Sequence, residues 1–570
     1  MGVFAEPLKK LTSYQDIKNA FDGGQFPIAV SGCVDSQKGH LVVNLAGEAS
    51  CRLILTYREE KAARLYEDLS FFDRHTVLYP GRDLLFYSAD VHGNLTLTQR
   101  MKVISRLLAG ESLTIVTGID TLMERMISRE EFERQCLVVD QDSVLETAAM
   151  RLKLVELGYV SSGLAEAPGE FSIRGDIIDI FPLTMESPVR IELWGDEVDS
   201  IRSFDPESQR SIENLDQVTI FPASGIILPR SGIGEAISRM KAEYEVRKDY
   251  FLRQKKKTEK ERLRKMIKAA EEELAALGTT TGSENLLSYF YDETVSLLDY
   301  LPEDTVIFLD ESRRVLDKAA ASELEYRMSM DNRLEGGYIL PGQADLTFGS
   351  EEMTGRLVNC PLVLLDSLAA NTDLPRPVTA FTMNVRSIYS YNNSFDQLAA
   401  DLARWKKESY QVILMSSSPT RARRLAANVR EYDLNAWFSE DTDKEVLPGE
   451  IMVTSGRLSS GFEYPEVPFV VLTEKDIFKD RSKKKRRLAR QHEGTKIRSL
   501  TEISVGDYVV HERYGLGIYR GIEKIESEGT ARDYINIEYK DDSNLFIPAT
   551  QLDLIQKYQN AGGHMPKLNR

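Results

Sequence analysis

The 570 residues hold only four cysteines, Cys33, Cys51, Cys136 and Cys360, and no two of them form a C-x-x-C pair. That scarcity and scatter exclude a disulfide-stapled scaffold and provide no zinc-site spacing. No run of about 18 apolar residues occurs, so the sequence offers no membrane span. The start, Met1-Gly2-Val3-Phe4-Ala5-Glu6, lacks both a basic n-region and an apolar h-region, and so does not read as a secretory signal. An excess of cations is missing as well. The formal net charge is −17 and the pI about 5.1, which argues against a chain that coats nucleic acid over its whole surface and leaves room only for local basic runs.

What is present is a long chain with 42% hydrophobic residues, too long for one core, so three to five domains are expected. Residues 1 to about 120 alternate short apolar runs with helical patterns: Phe26 to Val30, Arg52 to Thr56, then Leu113 to Thr117. That rhythm predicts βαβ units and a parallel sheet. From about 121 to 218 it gives way to β-hairpins, including Glu170 to Pro182 and Val189 to Trp194. A charged helical stretch fills 233 to 277, and the α/β rhythm returns at Thr305 to Leu309, so the hairpin region reads as an insertion. A second α/β unit is expected from about 350 to 470, with strands at Gln411 to Met415 and Phe469 to Leu472. A basic segment, Lys479 to Arg490, leads to a short β-rich C-terminal region.

The turn after the first strand, Gly32-Cys33-Val34-Asp35-Ser36-Gln37-Lys38-Gly39, falls short of a working phosphate loop. Such a loop needs G-x-x-x-x-G-K-[ST], with glycines that let backbone N–H groups wrap phosphate and a hydroxyl that binds magnesium. Gly32 and Lys38 are in place, but Gln37 occupies the second glycine position and Gly39 replaces the hydroxyl residue. A degenerate relic without nucleotide chemistry is the reading. Val306-Ile307-Phe308-Leu309-Asp310-Glu311 has the form of a Walker B strand that delivers carboxylates, yet Asp310 and Glu311 have little to catalyse without that loop. No catalytic residue and no metal site are assigned. The mixed charges of 233 to 277, including Arg253-Gln254-Lys255-Lys256-Lys257, read as a solvated helix face laced with ion pairs. Lys483-Lys484-Lys485-Arg486-Arg487 reads as an exposed linker run, with phosphate contact as the alternative.

Near the C-terminus, Val505 to Tyr519, Asp533 to Tyr539 and Leu545 to Pro548 form short β-rich runs broken at Gly515, Gly517, Gly521, Gly529 and Asp541-Asp542. They predict a small, strongly bent sheet or barrel. This segment resembles the RNA-polymerase-interacting domain of the bacterial transcription-repair coupling factors (Mfd), which is related to CarD-type regulators. Leu297-Leu298-Asp299-Tyr300-Leu301-Pro302 and the strand after it resemble UvrB, and the hairpin region resembles the second domain of UvrB, which docks on UvrA.

The resemblance implies an α/β multidomain chain. Residues 1–122 and 219–348 would form a degenerate RecA-like, UvrB-like domain, with a mainly-β UvrA-binding domain inserted at 123–218. A second α/β domain of unassigned role would occupy 349–472 and a basic linker 473–497. A small CarD-like β-barrel would span 498–560, and 561–570 would begin a connector. The positions matching UvrA-contacting residues are Arg174, Arg190, Glu192 and Trp194, and those matching polymerase-contacting residues are Ile525 and Phe546. Ser172 stands where UvrB carries another arginine. Strand alternation puts Arg190 and Glu192 on one face and Ile191 and Leu193 on the other, and Ile525 and Phe546 are expected on neighbouring strands.

By this resemblance the chain is a cytoplasmic adaptor in transcription-coupled nucleotide excision repair. Its partners are the β subunit of RNA polymerase and UvrA. ATP, magnesium and DNA are engaged by the two motor domains of full-length members, whose intact helicase motifs do not occur in these residues. A UvrB-like ATP-binding helicase is the alternative, disfavoured by the loop at 32–39 and by the C-terminal β region. A purely transcriptional CarD-type regulator is a third, disfavoured by the UvrB-like module.

Overall fold

A computed structural model describes residues 2–82, 93–277, 283–369 and 375–478, together with 495–496, 508–511, 515–527, 530–539, 544–548 and 555–557. The chain divides into two compact units, one formed by 1–82 and 96–478 and the other by 83–95 and 479–570.

The larger unit is built on a seven-stranded sheet in the order Thr379–Thr382, Ile28–Ser31, Leu362–Leu365, Val306–Asp310, Cys51–Thr56, Leu113–Gly118, Thr76–Leu78. Every neighbouring pair is parallel. Four of these strands are buried along most or all of their length, as parallel strands covered on both faces must be, and this is why they read as unbroken apolar runs. Leu362–Leu365 and Thr379–Thr382 were expected in the second α/β unit beginning at 349, but they flank Ile28–Ser31 in this first sheet. Neither Leu362–Leu365, a fully buried strand, nor Thr379–Thr382, a half-exposed edge strand, carries a local pattern that names its sheet. Crossover packing alone assigned these two.

The second sheet runs Arg386–Ser387, Phe462–Tyr464, Phe469–Thr473, Gln411–Ser416, Ile451–Ser455, Ala436–Phe438, with its last four strands parallel. Alternation along these strands serves two cores. Val412, Leu414, Ile451 and Val453 pack with helices Phe395–Lys407 and Pro419–Arg430. Ile413, Met415 and Met452 face the other way, into one core with Phe4, Leu65 and Leu69. Because the two sheets share that core, they form one compact unit.

The inserted β region is a six-stranded sheet in the order Ser211–Asn214, Glu197–Phe204, Val189–Trp194, Ile177–Ile180, Glu170–Arg174, Val160–Ser161. Its chain ends meet where Leu137–Asp140 pairs antiparallel with Gln217–Ile220. Helix Arg129–Gln135 therefore precedes that junction, and Phe132 stacks edge-on against Tyr300 of the surrounding domain. The helices Ile233–Arg253 and Lys257–Leu277 follow as a two-helix hairpin.

The smaller unit holds an antiparallel sheet in the order Thr495–Lys496, Ile555–Lys557, Tyr508–His511, Gly515–Ser527, Thr530–Glu538, Asn544–Pro548. A register shift between Tyr519 and Gly521, where Gly521 takes φ 116°, bends the long hairpin. The run Lys483–Arg487 and the segment 561–570 lie outside the described residues. Among the described residues no helix is long and apolar enough to cross a membrane, and no group of three or more His, Cys, Asp or Glu side chains is placed to hold a metal ion.

Candidate functional site

The segment Gly32 to Gly39 is filled by the protein's own groups. Gly32 takes φ 77°, and a Cβ there would lie 2.1 Å from the Met383 carbonyl oxygen, so close backbone approach alone demands the glycine. Helix Asp35–Leu45 begins within this segment, so Gln37, Lys38 and Gly39 lie in its first turns. The backbone N–H of Val34 donates to Gln37 Oε1 (3.4 Å), so Gln37 caps the turn from the second-glycine position. A Cβ on Gly39 would make only ordinary contact with Leu69, 3.6 Å away.

Lys38 is 1% exposed, and its ammonium donates to Asp310 Oδ1 at 2.7 Å and Glu311 Oε1 at 2.6 Å. Glu311 sits in the left-handed region at φ 59°, and its Oε1 also accepts from the Ser367 backbone N–H at 3.2 Å. Burial opposes the Lys38 charge, but the two carboxylates outweigh it and hold its pKa above the ordinary value. Burial likewise opposes ionisation of Glu311, and Lys38 overrides it, so that carboxyl stays below the usual range. The lysine that in a working loop would reach for phosphate is thus committed to the two Walker-B-like carboxylates. Lys38 and these carboxylates, 272 and 273 residues apart, form a largely buried ion triad.

The inserted sheet presents a second, open arrangement. Ile178, Ile180, Val189, Ile191, Leu193 and Ile201 point into the domain core, so the alternate residues line the opposite face. There Asp179 pairs across strands with Arg190, and Arg190 with Arg202. Asp179, only 1% exposed, accepts from Arg174 Nη2 (2.7 Å), Arg190 Nε (2.7 Å) and Arg190 Nη2 (2.8 Å). The Arg190 guanidinium also lies 4.5 Å over the Phe204 ring and donates to Gln209 Oε1 at 2.9 Å. Glu192 accepts from Ser200 Oγ (3.0 Å) and pairs with Arg202. Trp194, at the strand end, is 82% exposed.

Arg174, Arg190, Glu192 and Trp194 therefore share one sheet face, but not one environment. Arg174 is half-exposed, whereas Arg190 is mostly buried against Asp179. Ser172 is buried and donates to the Gly163 carbonyl oxygen (3.0 Å), so the strand face is closed at that point. Sequence reasoning missed Asp179 and Arg202. The signal for Asp179 was available as a lone acid in Ile177-Ile178-Asp179-Ile180, an apolar strand where a carboxylate needs cationic partners.

In the smaller unit Ile525 pairs with Arg532, and Phe546 pairs with Asn536. The two were expected on neighbouring strands, but Thr530–Glu538 lies between theirs. Their partners on that strand are four residues apart, about 13 Å at ordinary strand rise. The reason is hairpin order: each pairs with the same central strand from an opposite side. Among the described residues Asn544–Pro548 pairs on one side only, leaving a sheet edge.

Two family descriptions match. The UvrB interaction domain covers residues 137–225, enclosing the polar sheet face, and the CarD-like/TRCF RID domain covers 503–559. The transcription-repair-coupling factor of Bacillus subtilis strain 168 is 32% identical over 575 residues, covering 98% of this chain and 47% of that protein. Those of Staphylococcus aureus strains RF122 and USA300 are 28% and 27% identical over 578 residues, covering all of this chain and 48% of each relative. The chain thus spans about half the length of the curated relatives it matches. With both domains matched in one chain and nearly all of its length aligned to these relatives, this sequence matches the N-terminal half of the transcription-repair-coupling factors.

Proposed function

We propose that this chain is the adaptor half of a transcription-repair-coupling factor. It binds the β subunit of RNA polymerase through the domain at 498–560 and recruits UvrA through the polar face of the inserted sheet, at DNA where polymerase has stalled. In this reading 498–560 closes as a small CarD-like barrel, the seven-stranded sheet is a degenerate RecA-like, UvrB-like fold, and the chain works in the cytoplasm. ATP and magnesium belong to the motor of full-length members, which pushes the polymerase off the lesion, while this chain contributes no nucleotide chemistry.

The observation that carries the reading is the coincidence of the UvrB interaction domain with a face holding Arg174, Arg190, Glu192 and Trp194. An exposed tryptophan on the same sheet face as fixed arginines is the composition that anchors protein interfaces. The competing reading, a UvrB-like ATP-binding helicase, requires Lys38 to leave two buried carboxylates for a nucleotide. Separate pull-downs of purified UvrA and purified RNA polymerase by this chain test the proposal. Capture of both is expected, and failure to capture UvrA would remove the inserted domain from the interface.

A further inference from the structure

The two-helix hairpin carries a charge pattern that its fold does not require. Between Arg253 and Lys265 there are eight cations and two acids, in a chain whose net charge is −17. Along the body of the hairpin, cations are matched: Arg239 with Glu235 and Asp292, Lys241 with Glu271, Lys248 with Glu245, Lys268 with Glu272. The tip is different. Arg253, Lys255, Lys257, Lys260 and Lys265 form no ion pair within 4.0 Å among the described residues, and all but Lys260 are exposed.

Local folding rules favour other residues at two of these positions. The first helix ends with the Lys256 N–H on the Phe251 carbonyl and the Lys255 N–H on the Leu252 carbonyl. In that closing motif the residue at Lys255 takes a left-handed conformation, here φ 59°, where glycine is preferred. The next helix opens with Lys257, at an end where the helix dipole favours acids. Lysine at both places costs stability without returning a contact.

The tip is also held firmly. Lys256 pairs with Glu335 at 2.5 Å, and Arg262 donates to the Gly336 carbonyl at 2.6 Å while lying 4.1 Å over the Tyr338 ring. Gly337 approaches so closely that a Cβ would lie 2.4 Å from the Glu259 carbonyl oxygen. The unpaired cations are therefore displayed on an anchored turn.

We propose that this hairpin tip, through Arg253, Lys255, Lys257, Lys260 and Lys265, docks on the phosphate backbone of duplex DNA. Charge complementarity selects the occupant. A dense, unpaired cationic cluster suits a polyanion with closely spaced charges, and the acidic remainder of the chain confines binding to this spot. The contact carries no base readout, since cations on phosphate position a protein without reading sequence. It rests on the adaptor reading, in which this chain works beside the duplex at a stalled polymerase, and gives the UvrB-like module its own hold there.

The test is fluorescence anisotropy of a labelled 20-base-pair duplex with the 570-residue chain across a KCl series. Arg253→Glu/Lys255→Glu/Lys257→Glu should lower affinity at least tenfold at 50 mM salt and reduce the slope of log K against log salt by about 3, near 0.9 per phosphate contact. Lys255→Gly is the second variant, because it relieves the left-handed backbone while removing one charge. It should melt at or above the parent temperature and still lower the slope by about 1, a combination that a purely structural lysine would not give.

Lys483→Glu/Lys485→Glu/Arg487→Glu should leave the hairpin's share of the slope in place. No duplex binding by the parent chain, unchanged slopes in both hairpin variants, or binding lost only on changing 483–487 would each overturn the proposal. Poly-glutamate competing as well as duplex at equal charge would overturn the choice of DNA. Capture of UvrA and polymerase by the same variants should be unchanged, and failure of the parent chain to capture them would instead count against the adaptor reading.

Discussion

Replacing Lys38 by methionine keeps the length of the side chain and removes its charge. Asp310 is then left 1% exposed and Glu311 18% exposed, two carboxylates facing each other with no cation between them. Breaking a buried pair by removing one partner costs roughly 3–5 kcal/mol, because the remaining charge stays desolvated. Here two remain, so the upper part of that range is expected near pH 8.

The cost should depend on pH, with a definite sign. In the parent protein Glu311 is held below its usual pKa, so its contribution is present above the unfolded pKa and fades as pH falls through the folded one. Without Lys38 the same burial pushes the Glu311 carboxyl up, the folded state binds a proton more tightly than the unfolded, and the variant regains stability as pH drops toward 5. Urea unfolding of parent and Lys38→Met at pH 8 and pH 5, followed by circular dichroism, reads both effects. Adding Asp310→Asn and Glu311→Gln to Lys38→Met should restore most of the loss at pH 8, since apolar or neutral replacement of a whole buried ion cluster is close to neutral. A loss under about 1 kcal/mol at pH 8 with no dependence on pH would refute the reasoning.

No ATPase activity is expected, with or without DNA, and robust hydrolysis that disappears in Lys38→Ala would restore the loop to function. Arg174→Glu should weaken UvrA binding by about 2–5 kcal/mol if the contact is desolvated, measured by calorimetry with melting as the folding control. Arg190→Glu should weaken binding too, but it also sets a carboxylate against Asp179 and should lower the melting temperature of the inserted domain, so Arg174→Glu is the cleaner probe. Ile525→Arg should abolish polymerase capture and leave UvrA capture intact, and a folded variant that binds polymerase normally would place the contact elsewhere.

Much of this protein was legible in its residues because short-range physics wrote it. The period-2 alternation of Val189 to Trp194 told which side chains face the core, and the structure places Val189, Ile191 and Leu193 there. The apolar runs at 26–30, 52–56, 113–117 and 305–309 announced a parallel sheet, because strands covered on both faces have little polar side to show. The departures at Gln37 and Gly39 could be read against the phosphate-loop pattern because that pattern depends on residues a few positions apart.

Tertiary structure decided what depends on distant partners. Leu362–Leu365 completes a sheet begun more than 300 residues earlier, and nothing local distinguishes that choice from the next sheet along. Asp179 gathers Arg174 and Arg190 into one fixed cluster, and the order of strands separates Ile525 from Phe546. Lys38 meets Asp310 and Glu311 only because the crossovers bring two strand ends together. Alternation and loop chemistry are properties of neighbours along the chain, whereas strand order and ion-pair partnership are set by which packing buries the most surface with its charges matched.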